Sequence, residues 1–138
     1  MDTNELPKDI NDVKKKINEL TSFHDLEVEY YAVENGAACI IAEKINDKVT
    51  QLRKFFHKIK NMDIKLKCRR NEEPLVYTEI ALLLPELAYA KGRNLISPDF
   101  YDIMKSSLQK EKLKTVGDFK KLVSFLSAIL AYQKRKKQ

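Results

Sequence analysis

The sequence has few of the residues that glycine-rich nucleotide loops, disulfide scaffolds and membrane spans require. Its three glycines in 138 residues are too few for a phosphate-binding loop or for the many turns of a β protein. Its two cysteines, Cys39 and Cys68, lack ligand-type spacing, which indicates reduced thiols in a cytoplasmic protein and excludes a structural zinc module. The longest charge-free run, residues 122–133, is shorter than the roughly 18 apolar residues of a membrane span.

The composition is that of a globular chain. Apolar residues make up 43% and charged residues 33% of the sequence, and the length suits one domain. The first residues lack the basic-then-apolar order of a secretion signal. With no repeat and no low-complexity linker, we expect a single helical domain over residues 1–138, with a variable N-terminal segment over 1–35 and a basic tail over 134–138.

Apolar residues recur in steps of three and four along most of the chain, which predicts amphipathic helices. We therefore expect an all-α fold, a single bundle of five or six helices. The predicted helices cover approximately residues 6–20, 26–46, 47–67, 77–93, 97–112 and 115–134.

Segment 26–46 has two interpretations. Its apolar stepping continues through Asn35-Gly36 and favours one helix, although Gly36 costs about 1 kcal/mol there relative to alanine. The alternation of residue types before Asn35-Gly36, in the segment LEVEYYAV, instead fits a β-hairpin with its turn at Asn35-Gly36. Just upstream, Ser22 and Asp25 have the spacing of a capping box.

Charge is distributed unevenly along the chain, whose net charge is +6. Residues 1–43 hold four lysines against ten acids, whereas residues 44–70 hold ten basic residues against two acids. A basic block of this kind is a candidate surface for a polyanion, although most charge runs are only solvated helix faces.

The helix over 47–67 separates these charges from its apolar side. Leu52 and Ile59 lie on the apolar side with Asp63, and the opposite half is cationic and without an acid. A face selected only for stability gains from alternating signs, so this one favours a polyanion ligand. Phe55 and Phe56 belong to or flank the core, and we therefore expect no stacking platform and little base specificity.

A second basic cluster lies at the end of the helix over 77–93. Lys91 and Arg93 suit a helix C-terminus even without a ligand, but with the backbone around Gly92 they also resemble a phosphate clamp. Gly92 is suited to a left-handed cap. Tyr89 can stack on a base or pack against the protein, and packing is favoured.

No pattern indicates a catalytic or metal site. His24 and His57 are far apart and have no partner at zinc-ligand spacing, and no cofactor is expected. His57 among cations is best explained as a surface residue that helps to contact phosphate. An acid–base ribonuclease using His57 stays an alternative, as does a helical adaptor for an acidic protein partner.

Three segments occur in an order that resembles a known family: VTQLRKFF at 49–56, LPELAYAKGRN at 84–94 and FLSAILAYQK at 125–134. The sequence resembles the small subunit of the type III-A CRISPR effector, the Csm complex, over about residues 36–135. The first 35 residues carry no signature of this family.

The resemblance implies a non-catalytic role in antiviral defence. Such subunits are helical bundles that stack in a short filament and hold guide and target RNA from one side. The implied partners are both RNAs, the backbone subunits, the large cyclase-type subunit and copies of the same chain. By position the family's RNA contacts fall on Arg53, Lys54, Lys58, Lys91 and Arg93, with Lys48, Gln51, Lys60 and Tyr89 as further candidates.

Self-association also has a basis in the sequence. The acidic segment 1–43 and the basic segment 44–70 have opposite charge and can face each other between neighbouring copies. Phe125 and Tyr132, seven residues apart on the last helix, form an apolar line beside its main stripe, and we expect this line to take part in the contact.

Overall fold

The structure, a computed structural model, describes residues 5–45 and 49–136. The all-α prediction is confirmed: apart from one isolated bridge between Pro74 and Thr115, the described residues form helices, turns and loops. Two 3-10 turns, Phe23–Asp25 and Lys110–Lys112, connect longer elements. The helices are α1 (Ile10–Glu19), α2 (Val28–Tyr31), α3 (Ala37–Lys44), α4 (Val49–Lys65), α5 (Thr78–Ala81), α6 (Leu83–Gly92), α7 (Pro98–Ser107) and α8 (Val116–Lys136).

Helix α8 is the central element, packed against α3, α4 and the first 3-10 turn, while α7 lies against α1 and α6. Phe125 is fully buried in the middle of α8. Its ring centroid lies 5.8 Å from that of Phe23 and 5.4 Å from that of Tyr31. Tyr132 is half-buried, and its hydroxyl donates to the carbonyl oxygen of Ala32 at 2.7 Å. The expectation that the line of Phe125 and Tyr132 takes part in a contact between copies is therefore wrong, because N-terminal segments of the chain pack against both residues.

The N-terminal helix shares this core. Ile10, Val13 and Ile17 of α1 are buried in it. Outside the core, the Lys14 ammonium donates to Asp99 at 2.6 Å and to Asp102 at 3.2 Å, which joins α1 to α7. The hydrogen bond to Asp99 raises the pKa of Lys14, although burial opposes the shift.

Segment 26–46 contains a turn. Helix α2 ends at Tyr31 and α3 begins at Ala37, and Asn35 between them has the left-handed φ of 64°. A Cβ atom added to Gly36 would lie 2.9 Å from the carbonyl oxygens of both Tyr30 and Val33. The continuous helix favoured by the apolar stepping is therefore wrong, and so is the hairpin, because helices flank the turn on both sides.

A buried carboxylate holds the start of α8. Thr115 and Asp118 form a capping box, in which the Asp118 amide donates to the Thr115 hydroxyl at 3.2 Å and the Thr115 amide donates to Asp118 Oδ2 at 3.1 Å. Oδ2 also accepts from the Lys114 amide at 3.0 Å, and Oδ1 accepts from the His24 amide at 2.8 Å and from the Ser22 hydroxyl. The capping box predicted between Ser22 and Asp25 is wrong, since the Ser22 hydroxyl is used here instead.

These hydrogen bonds decide the ionisation of Asp118, which is 1% exposed. Burial alone would raise its pKa, but the hydrogen bonds from Ser22, His24, Thr115 and Lys114 outweigh burial and hold the pKa below its ordinary value of 3.8. A depressed folded pKa stabilises the fold above the unfolded pKa, and this stability is lost as pH falls through the folded pKa.

We expect Asp118→Asn to lower the free energy of unfolding by at least ~2 kcal/mol, because each hydrogen bond to a buried charge contributes about 1.5–3 kcal/mol. The variant should also lose less stability than the parent as pH falls from about 5 to 3. Urea unfolding across this pH range measures both effects. Asp102→Asn, at an exposed ion pair with Lys14, should cost less than about 1 kcal/mol and keep the acid dependence of the parent. An Asp118→Asn variant as acid-sensitive as the parent would contradict this account.

Candidate nucleic-acid interface

A groove of about 640 Å³ runs between α4 and α6, and we call it the α4–α6 groove. Buried residues of α6, of α7 and of the connection between them line its base. Its polar lining residues are Gln51, Lys54, His57, Lys58, Asn61 and Glu86; its apolar ones are Phe55, Pro85, Leu87, Tyr89, Ala90, Leu95, Ile96 and Phe100.

Helix α4 supplies one wall because its other side is fixed in the core. Leu52 and Ile59 are buried, as predicted, where α4 packs on α8. The polar wall then follows the helical repeat: Gln51, Lys54, Lys58 and Asn61 are spaced by three, four and three residues and line the groove together.

Aromatic residues lie deeper in the groove. The half-buried Phe55 ring meets the buried Phe100 ring nearly edge-on, with centroids 6.4 Å apart and an interplanar angle of 86°. Phe55 thus flanks the core, as predicted, but it also lines the groove. An exposed ring beside the basic face comes instead from Tyr89 on the helix opposite.

The opposite wall begins where the chain breaks between α5 and α6. Pro85 stands in the first turn of α6, where the missing N–H costs nothing. Tyr89 is 63% exposed, and the Arg93 guanidinium lies over its ring at 5.8 Å from the centroid. The interpretation of Tyr89 as a packed residue is therefore wrong.

The end of α6 differs from the predicted cap. Gly92 is the last helical residue, and the left-handed residue is Asn94, with φ of 59°. The chain closes with the Leu95 amide donating to the Ala90 carbonyl oxygen at 2.8 Å. This turn brings Leu95, 39% exposed, and the buried Ile96 to the groove.

Neither Lys91 nor Arg93 is among the residues that line the groove, although Arg93 lies over the ring of Tyr89, which does. The Lys91 ammonium lies 4.6 Å from the ring centroid of Tyr101 on α7, and the Lys105 ammonium lies 5.9 Å from the same centroid. The two cations of the predicted phosphate clamp therefore point to different partners, Lys91 to α7 and Arg93 to Tyr89.

Acids from other elements partly neutralise the cationic side of α4. Lys58 pairs with Glu86 of α6 across the groove, and Lys65 lies 3.2 Å from Glu79 of α5. Within α4, Lys60 lies 3.9 Å from Asp63. The expectation that this face has no acidic partners is wrong, because its partners come mainly from residues 79 and 86, far along the chain.

Three basic side chains of α4 are exposed and have no acidic partner among the described residues. Arg53, Lys54 and His57 are exposed, and none forms an ion pair with another residue in the described ranges. Lys54 and His57 line the groove, whereas Arg53 lies outside its lining. Lys48 lies outside the described residues.

Sequence reasoning also missed parts of the groove. Asn61 continues the spacing of Gln51, Lys54 and Lys58, so the helical repeat by itself places it on the same face. Leu95 and Ile96 had no comparable signal, since their position depends on the turn after α6.

The fold and the groove define a small all-α protein with a partly aromatic cleft that has cations along one wall. The chain belongs to the Csm2 Type III-A family, whose model matches residues 27–138. It is accordingly a small subunit of the type III-A CRISPR complex, as its sequence motifs predicted. The match includes all helices from α2 to α8 and leaves α1 outside. No curated protein and no solved structure matches the chain.

Membrane-crossing helices and metal clusters are both missing from the described part of the chain. None of the helices there combines the length and apolarity needed to cross a bilayer. No cluster of three or more His, Cys, Asp or Glu residues in residues 5–45 and 49–136 is arranged to hold a metal ion. Both cysteines are free, Cys39 buried in α3 and Cys68 exposed after α4.

Proposed function

We propose that this chain is a non-catalytic, cytoplasmic small subunit that binds the backbone of guide and target RNA and stacks with copies of itself along it. The α4–α6 groove is the observation that carries the proposal. Within it, Lys54 and Lys58 of the first basic motif face Tyr89 of the second across one cleft, with Arg93 over the tyrosine ring.

The chemistry of this surface suits phosphate better than it suits any one sequence. Lysine and arginine neutralise phosphates and release counterions, and such contacts position a nucleic acid without reading its bases. A guide-dependent complex has to accept every guide, so a small subunit with this surface need not distinguish sequences. His57, exposed between Lys54 and Lys58, adds a third phosphate-binding group to the same wall.

The first test is charge reversal on α4. The double variant Arg53→Glu, Lys54→Glu should bind RNA more weakly and with a flatter salt dependence, by about one unit of log–log slope for each phosphate that is no longer neutralised. The matched control is Lys15→Glu, Lys44→Glu, which makes the same charge change at exposed positions on α1 and α3. Filter binding at several salt concentrations measures both. Equal weakening in the two double variants would show a net-charge effect and no site on α4.

The ion pair of Lys58 with Glu86 generates a second prediction. Glu86→Gln should tighten RNA binding by up to about fivefold, because an exposed pair contributes only ~0.2–1 kcal/mol and the variant frees Lys58 while removing a negative charge. Glu79→Gln is the control, since it frees Lys65 outside the groove. Competition binding compares the two variants. Glu86 would have no role at the RNA surface if both variants tightened binding equally.

Stacking is supported by the separation of charge in the folded chain. Exposed acids on the N-terminal elements include Asp9, Asp12, Asp25, Glu29 and Glu34, and the basic face lies on α4. Surfaces of opposite sign on different elements favour a head-to-tail contact, which repeats along a strand without closing. RNA then holds neighbouring copies at high local concentration.

The third prediction concerns this assembly. Bound copies should increase in steps as the RNA is lengthened, as measured by analytical ultracentrifugation. Glu29→Lys should reduce stepwise loading more than it changes binding of a single copy to a short RNA. Glu111→Lys makes the same charge change on the second 3-10 turn and serves as the control. One copy per RNA at every length would exclude the filament. Phe125 is unsuitable for this test because it is buried in the core.

A further inference from the structure

We infer that the α4–α6 groove receives an unpaired nucleobase of the bound RNA, with Tyr89 as its stacking surface and Lys54 and Lys58 on the adjoining phosphates. This inference rests on the proposed RNA binding and adds what that binding leaves open, namely which part of a nucleotide enters the cleft. Phosphate contacts alone require only cations and hydrogen-bond donors on an open surface.

The groove has more apolar surface than phosphate binding needs. Phe55, Ile96 and Leu95 line it together with Tyr89, and Leu95 and Tyr89 leave 39% and 63% of their surface exposed. Its volume of about 640 Å³ falls within the roughly 300–1,000 Å³ of small-molecule sites, which combine an apolar lining with a few polar groups. The ring faces of a flat heterocycle fit the apolar lining, and the polar atoms on its edge fit the few polar groups.

The Tyr89 ring is arranged for stacking. The Arg93 guanidinium lies over the ring at 5.8 Å from its centroid, and the exposure of Tyr89 leaves the ring accessible to a second planar group. Every base has a π-face, so stacking on a tyrosine tolerates any sequence. A base site here is therefore compatible with RNA binding that has little base specificity.

Two amides provide the polar contacts that a base edge requires. Gln51 and Asn61 both line the groove, and neither side chain hydrogen-bonds to another residue in the described ranges. An amide offers donors and an acceptor together, which suits the mixed edge of an unpaired base. Lys54 and Lys58 stand between the two amides on the same stripe, about 6 Å apart along the helix axis, where the strand backbone would pass.

The charge of the rim favours RNA over a protein segment as the occupant. Lys54, His57 and Lys58 line one wall, and Glu86 is the one acid among the described residues that line the groove. Arg93 lies outside this lining, over the ring of Tyr89 on the opposite wall. A partner helix would need acids on two sides, whereas one nucleotide supplies a base for the floor and a phosphate for the rim.

The test compares two ligands of equal length: single-stranded RNA and an abasic ribose-phosphate strand. The full chain should prefer single-stranded RNA over the abasic strand by roughly five- to a hundredfold, because base–aromatic stacking contributes about 1–3 kcal/mol per base. Tyr89→Ala should abolish this preference. Tyr101→Ala removes an aromatic ring outside the groove and should keep the ratio. Quenching of a fluorescent base analogue in the strand provides a second readout that does not depend on a variant.

Equal affinity for single-stranded RNA and the abasic strand would overturn the base site while leaving backbone binding intact. Failure to bind either ligand would instead overturn the proposed function itself. A preference that persists in Tyr89→Ala would assign the base to another surface. In the assembled complex, a photo-crosslinker at position 95 should attach to RNA, and attachment only to another protein subunit would overturn the inference.

Discussion

The buried carboxylate of Asp118 is the interaction on which the other helices depend. It accepts hydrogen bonds from Ser22 and His24 in the N-terminal part and from Lys114 and Thr115 just before α8. The same group thus caps the longest helix and attaches the first 3-10 turn to it. Since a buried charge is tolerated only when it is fully hydrogen-bonded, these segments are held in one arrangement. Phe125, two turns further along α8, then lies against Phe23 and Tyr31.

The groove follows from the way α8 and α7 hold its two walls. Helix α4 packs on α8 through Leu52 and Ile59, and α6 packs on α7. Phe100 of α7 meets Phe55 and lines the groove with it, so the cleft has an aromatic base. The polar stripe of α4 and the exposed Tyr89 ring already line the same cleft. A preformed cleft of this kind limits the ordering cost that binding incurs.

Acids on the rim moderate the basic surface. The pairs of Lys58 with Glu86 and of Lys65 with Glu79 join α4 to the elements that follow it. They lie on the surface, where an ion pair contributes little to stability, so a phosphate can replace Glu86 as the partner of Lys58 at small cost. Arg53 and Lys54, exposed and outside such pairs among the described residues, are available without any replacement. This division separates cations that are ready for a polyanion from cations that first have to exchange a partner.

Much of the fold was predictable from the sequence by itself. The apolar repeat predicted that Leu52 and Ile59 of α4 face the core, and it predicted a helix from about residue 97, beside the observed start of α7 at Pro98. These features are local, because helical periodicity and capping depend on residues a few positions apart. The three family segments likewise depend only on order along the chain, and they identified the family to which the chain belongs.

Only the tertiary structure decided which faces meet. It buried Phe125, which the helical repeat had placed beside the main apolar stripe, and it turned Tyr89 and Lys91 toward different neighbours. It also supplied Glu79 and Glu86 to the cations of α4 and brought Leu95 into the groove that Tyr89 lines. Each of these outcomes depends on contacts between residues far apart along the chain, which the spacing within one helix does not contain. The sequence therefore determined the helices and the chemistry on each face, and long-range packing alone decided that two of those faces form a groove.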